Sequence, residues 1–492
     1  MTNNKAALTD RKRSLIFLNI VVSCIASSML ATALTTALPS IIADFSITVT
    51  MGQWLTSGYS LAMGIIMPLT AFLITRFPTK RLYLCGLALT IAGLVLCVVA
   101  PNFPFLMAAR ILQASGNGIL SAMAQVIILS IYPPEKRGTA MGWYGLSIGA
   151  APVIAPTLAG ILVDSFGWRS IFYLAIAIMG VSLVCALAVF ENVLDTVKKR
   201  FDTVSFVLSA FAFGGITLGV GSIGSAPFVS GSVLGVLAVG VVAGIVFVIR
   251  QLKASEPFLE LRILKNKSYA VSVAGSMLLY LVVMGSTILM PLYVQTILGR
   301  SATLSGLVVL PGSLASVIVS PFAGKIYDRI GIKPLFVCGG AAMLLSNFSL
   351  FFIRISTGVW VSAVCNVVRN ISIACLMMPL VTFGTDAIGA ANTAHGTALL
   401  TSLRTIAGAI GTAVFVGIMN FVAQNSAAVH GAQALMHGFN VAFLWMGLAS
   451  TLLLLLGMFG ISGKGREPAA CACRVPEVFP AAAPGNPDAP QK

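Results

Sequence analysis

The chain is 492 residues long, 58% hydrophobic and only 9% charged, with 30 Lys and Arg against 14 Asp and Glu. Its mean hydropathy of +0.98 describes a chain solvated by lipid and excludes a large soluble domain. The net charge of +16 includes no basic run with interleaved aromatics outside the apolar segments, which excludes a nucleic-acid partner.

A bilayer core takes about 20 apolar residues per helix. Stretches of that length lie at 15–38, 51–74, 82–100, 104–131, 139–162, 170–190, 203–223, 229–250, 268–297, 303–325, 334–353, 357–383, 395–422 and 437–461. The first follows a basic start, as a signal peptide does, yet it is too long for one and has no small-residue cleavage site, so it reads as a retained helix. Along the links, 24 of the basic residues fall on the side that holds both termini, against Arg169, Arg300 and Arg354 on the other. Short loops keep positive charge in the cytoplasm, so a multi-pass plasma-membrane protein with both ends cytoplasmic is expected. Seven of the nine cysteines lie in spans, and none is placed for an extracellular disulfide. Cys471 and Cys473 sit in a Pro- and Ala-rich tail, 464–492, that reads as disordered.

The chain repeats itself. A shift of 253 positions lays Pro68–Gly86 on Pro321–Gly339 with Pro, Arg, Lys, Leu, Cys and Gly in register, and a shift of 259 lays Arg110 on Arg369. Both copies end one helix, cross a basic link and start the next. This divides the chain into an N-terminus (1–14), a six-helix half (15–200), two inserted helices (201–252), a second six-helix half (253–463) and the tail. Repeats around a midplane cavity are the architecture of secondary transporters.

Several local patterns occur in order: Gln53-Trp54-Leu55-Thr56 with Tyr59; Arg110 with Gln113; Ala151-Pro152, Ala155-Pro156 and Gly160; Trp168-Arg169; Glu256-Pro257-Phe258; Pro291-Leu292-Tyr293; and Gly324, Asp328, Arg329, Gly331 and Lys333. Together, over the chain to about Gly460, they resemble the 14-span drug:proton antiporters of the major facilitator superfamily. The resemblance implies an all-α polytopic fold of two six-helix halves plus two central helices, a small-molecule substrate, a proton as coupling partner, a monomer in the bilayer and no cofactor. It also implies that Pro152, Pro156 and Gly160 mark an antiporter helix and that Gly324–Lys333 is a gating loop. In that loop Asp328 either pairs with an Arg or sits near a neighbouring helix N-terminus, where a carboxylate is favoured. The first copy of the loop has Thr75 and Pro78 where Asp and Gly are expected, which predicts a weakened latch. Ala151, Ala155 and Ala159 replace expected glycines, and the first-helix acid of the family aligns with Leu30.

Charge at membrane depth costs roughly 2.5–3.5 kcal/mol on insertion scales and is a functional candidate by default. Arg110, Arg369 and Arg404 are such charges, and no carboxylate lies deep in a span. Arg110, Gln113, Asn117, Gln125, Trp54, Tyr59, Thr32 and Thr35 are the expected cavity and coupling residues, with Tyr144, Tyr280 and Asn366 as further candidates. Each arginine also fits a brace satisfied by carbonyls, Gln113 or Asn370, and that reading is favoured for Arg369 and Arg404, which match the family less specifically than Arg110. Enzyme signals are weak: Gly145-Leu-Ser147-Ile-Gly149 fits G-x-S-x-G, but inside an expected helix, and neither a P-loop nor a metal cluster is present. The expected function is export of small amphipathic compounds, with a metabolite importer or facilitator as the alternative and a polytopic enzyme or sensor as the remote one.

Overall fold

The computed structural model describes residues 9–194, 196, 201–221, 231–254, 257–300, 302–389, 392–425 and 431–461. Among them it is helical throughout: α1 (Asp10–Phe45), α2 (Val49–Arg76), α3 (Thr79–Val98), α4 (Phe103–Ile131), α5 (Pro134–Phe166), α6 (Ser170–Val189), α7 (Thr203–Gly221), α8 (Gly231–Lys253), α9 (Lys267–Leu292), α10 (Ala302–Ile330), α11 (Ile332–Phe351), α12 (Val359–Ile388), α13 (Thr393–Asn425) and α14 (Ala432–Gly460). Lys198, Lys199, Arg200, Glu256 and the tail with Cys471 and Cys473 lie outside the described residues, as do the side chains of Gln53, Pro152 and Pro156.

Most helices outrun their expected apolar stretch by a turn or so. Apolarity stops at the first charge, whereas a helix continues until a cap satisfies its end. The Thr48, Asn102 and Asn266 side chains accept from the third backbone N–H beyond them, at 3.2, 3.0 and 3.2 Å, and so start α2, α4 and α9. Among the described residues twelve helices are long and apolar enough to cross a membrane, and α5 makes a thirteenth if its two arms, bent by 43° between Ala155 and Leu158, count together. The break coincides with Pro156, which has no N–H for the helix ladder. Among the described residues the count of fourteen is not reached, since α7 offers Thr203–Gly219 as a shorter apolar helix.

The first six helices pack on one another, as do the last six, and α7 lies beside α8, α2 and α13. One apolar core runs mainly through α1–α6 and a second through α9–α14. The two sets meet where α5 lies along α10 and α12 and where α2 and α4 face α13. In lipid this association rests on close packing and satisfied polar groups, because solvent gives no hydrophobic drive between helices. Of the most apolar stretch of α4, 83% is buried, against 17% for α8, so α4 is central and α8 faces lipid.

The base of the α7–α8 pair is tied by polar contacts. Arg250 forms an ion pair with Asp202 at 3.1 Å, and the Gln251 amide donates to Ser205 at 2.7 Å while its carbonyl accepts from the Leu259 N–H at 3.1 Å. Burial alone raises the Asp202 carboxyl, but hydrogen bonds from Arg250 and Ser205 outweigh it and hold the group below the usual carboxylate range.

Candidate functional site

Arg110 is 1% exposed, about 10 Å along α4 from the end opposite the basic links. Its guanidinium donates to the Gln113 side-chain oxygen at 2.5 Å and to the Leu55 carbonyl at 3.4 Å, and it lies 4.1 Å from the centre of the Tyr59 ring. The Asn117 amide donates to the Tyr59 hydroxyl at 2.5 Å. A desolvated cation on an aromatic face gains about 2 kcal/mol, so ring and oxygens together offset most of the insertion cost. All these partners come from α2 and α4. The structure thus assembles Arg110, Gln113, Tyr59 and Asn117 into one cluster inside the first six helices. Thr32 and Thr35 instead bond to the α1 backbone, at Ser28 and Thr32, and Trp54 is 45% exposed.

Gln125, four turns further along α4 than Arg110, belongs to a different group. It lies near the Tyr144 hydroxyl of α5, which receives the Cys24 thiol of α1 at 3.8 Å and stands within electrostatic reach of Arg404 on α13. Arg404 lies 4.9 Å from the centre of the Tyr280 ring on α9. This second cluster therefore draws on α1, α4, α5, α9 and α13, and it spans the two sets of helices. Sequence reasoning placed Arg404 among structural braces and did not single out Cys24. Arg369 sits differently again, donating to Asn366 one turn back, whose amide reaches the Val309 carbonyl of α10 at 3.3 Å.

At the end that carries the basic links, Asp328 on α10 crosses to α5. Its carboxylate accepts from the Gly138 N–H at 2.8 Å, the Thr139 N–H at 2.7 Å and the Thr139 hydroxyl at 2.6 Å. Of the two partners expected for Asp328, the structure selects the neighbouring helix start, where backbone N–H groups and the helix dipole both favour an anion. Arg137 pairs with Asp386 of α12 at 2.7 Å, and the Tyr327 hydroxyl donates to the same carboxylate at 3.1 Å. Gly324 permits this approach: a Cβ there would stand 2.1 Å from the Gly138 carbonyl oxygen. Gly331 starts α11 with φ of 82°, a conformation that costs other residues strain. Arg329 and Lys333 form no ion pair among the described residues.

The first copy of the loop does not reach across. The Thr75 hydroxyl donates back to the Phe72 carbonyl at 2.8 Å, and Lys80 bonds to the Leu187 carbonyl and Asn192 near the end of α6. At the opposite end, Asp44 accepts from both Trp168 and Arg169 at 3.0 Å, which fixes the turn between α5 and α6 to the end of α1. Leu30 is 3% exposed and faces a small cavity of about 20 Å³ lined only by Ala, Leu, Ile and Met, including Ala155 and Ala159. Gly160, next to that face, has open space where a Cβ would stand. The Ser147 hydroxyl donates back to the Trp143 carbonyl within α5 at 2.9 Å, a helix-internal bond and not a nucleophile on a turn.

Two groups of helices, joined at one end by a capped helix start and enclosing buried polar side chains, are the form of a membrane carrier. The chain is 37% identical over 413 residues to an uncharacterized MFS-type transporter, YcnB, of Bacillus subtilis (strain 168), a match covering 84% of this chain and 88% of that one. It is 36% identical over 390 residues to the lincomycin resistance protein LmrB of the same organism, covering 79% and 81%. A crystal structure of a double-tryptophan mutant of XylE superimposes with a TM-score of 0.64 at 14% identity, covering 92% of this chain and 96% of that one, a likeness of fold alone. The model of the Major Facilitator Superfamily matches residues 16–412, and the chain belongs to that superfamily of transporters.

Proposed function

We propose that this protein exports small amphipathic compounds across the plasma membrane by alternating access, with the proton gradient as the driving force, both termini in the cytoplasm and α7 as a fourteenth crossing. The observation that carries the reading is the joint at Asp328, Gly138 and Thr139, a closure between the two sets of helices at the basic end. With that end cytoplasmic, the closure corresponds to an outward-facing or occluded state, and its rupture opens the substrate path to the cell interior. The efflux direction is supported by the relative named for lincomycin resistance. Proton coupling comes from the family resemblance; Leu30 and its apolar surroundings offer it no acid, so the carboxylates closest to the moving joint are Asp328 and Asp386. Everted vesicles from an efflux-deficient host test the whole reading. They should accumulate lincomycin when energised, and a protonophore should abolish the accumulation. No accumulation of lincomycin or of any other antibiotic in a panel rejects it.

Within this reading Arg110 braces α2 against α4 and Gln113, Asn117 and Tyr59 complete the brace. Arg110→Ala leaves the Gln113 side-chain oxygen and the Leu55 carbonyl without their guanidinium donor, at about 1–3 kcal/mol for each buried polar group left unpaired. The expected result is a several-fold fall in membrane-inserted protein with transport per molecule changed less than twofold. Quantitative immunoblotting alongside vesicle uptake separates the two, and normal abundance with lost transport would return Arg110 to the substrate path.

A further inference from the structure

The three membrane arginines differ in how far the protein satisfies them. Arg110 has an amide oxygen, a carbonyl and a ring, and Arg369 has the Asn366 oxygen. Each of the three has one nitrogen buried and unpartnered, but Arg404 has only the Tyr280 ring besides, and none of its nitrogens donates a hydrogen bond to any described residue. It is 7% exposed and lies about 16 Å along α13 from the basic end. Thr401, one turn before it, is 5% exposed with its hydroxyl also unpartnered. Across the contact of α13 with α4, Gln125 has its side-chain oxygen buried without a partner at 4% exposure, and the Tyr144 hydroxyl near it stands within electrostatic reach of Arg404.

Buried polar groups are paired in native proteins with few exceptions, and each exception calls for a reason. Three of them, the Arg404 Nε, the Thr401 hydroxyl and the Gln125 oxygen, lie on α13 and α4, neighbouring helices of the two sets that must separate for transport. The unmet donors are a guanidinium and a hydroxyl, which call for an acceptor carrying negative charge; the unmet Gln125 oxygen calls for a donor on the same ligand. Every carboxylate in the sequence lies at a helix end, in a link or in the tail, so the protein has no anion of its own to place there.

We infer that Arg404, with Thr401 on α13 and Gln125 and Tyr144 opposite, forms a site for the anionic headgroup of an amphipathic organic acid, carboxylate or sulfonate in class. This rests on the transport reading above and names its substrate class. The planar guanidinium takes a carboxylate through two parallel hydrogen bonds, and the ligand's apolar body lies toward the surrounding side chains. Joined to both sets of helices through one headgroup, the ligand stabilises the state in which they are close. A permanent cation is repelled from the same place, because like charges in a low-dielectric cleft interact far more strongly than in water.

Three probes that share a fluorophore and differ in headgroup test the inference: dansylglycine, its neutral amide and a dansyl trimethylammonium analogue. The readout is thermal stabilisation of the purified full-length protein. Dansylglycine should bind at least about tenfold more tightly than either analogue, Arg404→Gln should erase the difference, and Arg404→Lys should keep part of it. Should Arg404→Gln fail to accumulate, Thr401→Val must weaken dansylglycine several-fold and leave the amide unchanged. Equal stabilisation by the three probes, absence of dansylglycine binding to the wild type, or an unchanged preference in Arg404→Gln and Thr401→Val overturns the site. Selective binding of dansylglycine by a protein that exports no antibiotic from the panel would retain the site and reject drug efflux instead.

Discussion

Gly324→Val should reduce export at least about a hundredfold while leaving the protein inserted in the membrane. Even the first side-chain carbon at this position would stand 2.1 Å from the Gly138 carbonyl oxygen and 2.8 Å from its carbon. Both are backbone atoms of a packed helix, and they cannot swing aside as a flexible side chain does. The reciprocal change is equally obstructed, since a Cβ on Gly138 would meet the Asp328 carboxylate at 2.7 Å and the Gly324 carbonyl at 2.7 Å. Each six-helix set has its own apolar core, so insertion survives while closure at the basic end does not. A ligand shifts a conformational equilibrium only by its differential affinity for the two states; a clash worth several kcal/mol exceeds what substrate or protons supply in a cycle. Gly160 provides the contrast, because nothing stands within 4 Å of its added carbon, and Gly160→Ala should change transport less than twofold. Labelling of Ser320→Cys by a thiol reagent in everted vesicles reads the open state directly: strong labelling in the Gly324→Val background is the expected result, and wild-type export by that variant would sink the argument.

The membrane character and the helix positions were legible because both follow from quantities that the chain states locally. Apolar length and loop charge need no knowledge of neighbours, and they place every helix within a few residues. The latch was legible up to its partner. A carboxylate at the end of α10 had to find positive potential, but Arg137 and the start of α5 both offer it, and only the packing of α5 on α10 gives the N–H groups to Asp328 and leaves Arg137 to Asp386. The arginines were less legible still. In sequence Arg110 and Arg404 are each a single charge in an apolar helix, and the family resemblance drew attention to Arg110. What separates them is the count of oxygens within reach, which depends on whether α2 or α9 is the neighbour and on whether a carbonyl such as that of Leu55 points inward. No periodicity carries that information. The α7 stretch was legible as 203–223, and its described apolar part, Thr203–Gly219, is shorter than the other spans.

Asp328→Asn should lower export more than tenfold, whereas Thr75→Ala should lower it less than twofold, although the two residues occupy equivalent places in the repeat. The carboxylate of Asp328 serves two backbone N–H groups and one hydroxyl, all within 2.8 Å. Hydrogen bonds to a charged group contribute about 1.5–3 kcal/mol each, and the start of α5 adds a favourable dipole term of roughly 0.3–1 kcal/mol. An asparagine keeps one acceptor oxygen, turns an amide N–H toward donors and removes the charge, so the closed state loses on the order of 2–3 kcal/mol. A shift of that size changes the ratio of closed to open protein by roughly 30- to 150-fold, and the Arg137–Asp386 pair ties α5 to α12 and leaves the contact of α10 with the start of α5 without its anion. Asp328→Glu keeps the charge one carbon further out and should recover part of the activity. Thr75 spends its hydroxyl on the carbonyl of Phe72 in its own helix, and a back-bond of that kind contributes little to helix stability and nothing across the interface. Vesicle uptake of the same drug by both variants, normalised to inserted protein, decides between them. Equal losses would mean that the two loops share the work of closure and that the first loop does its part without the carboxylate that Thr75 lacks.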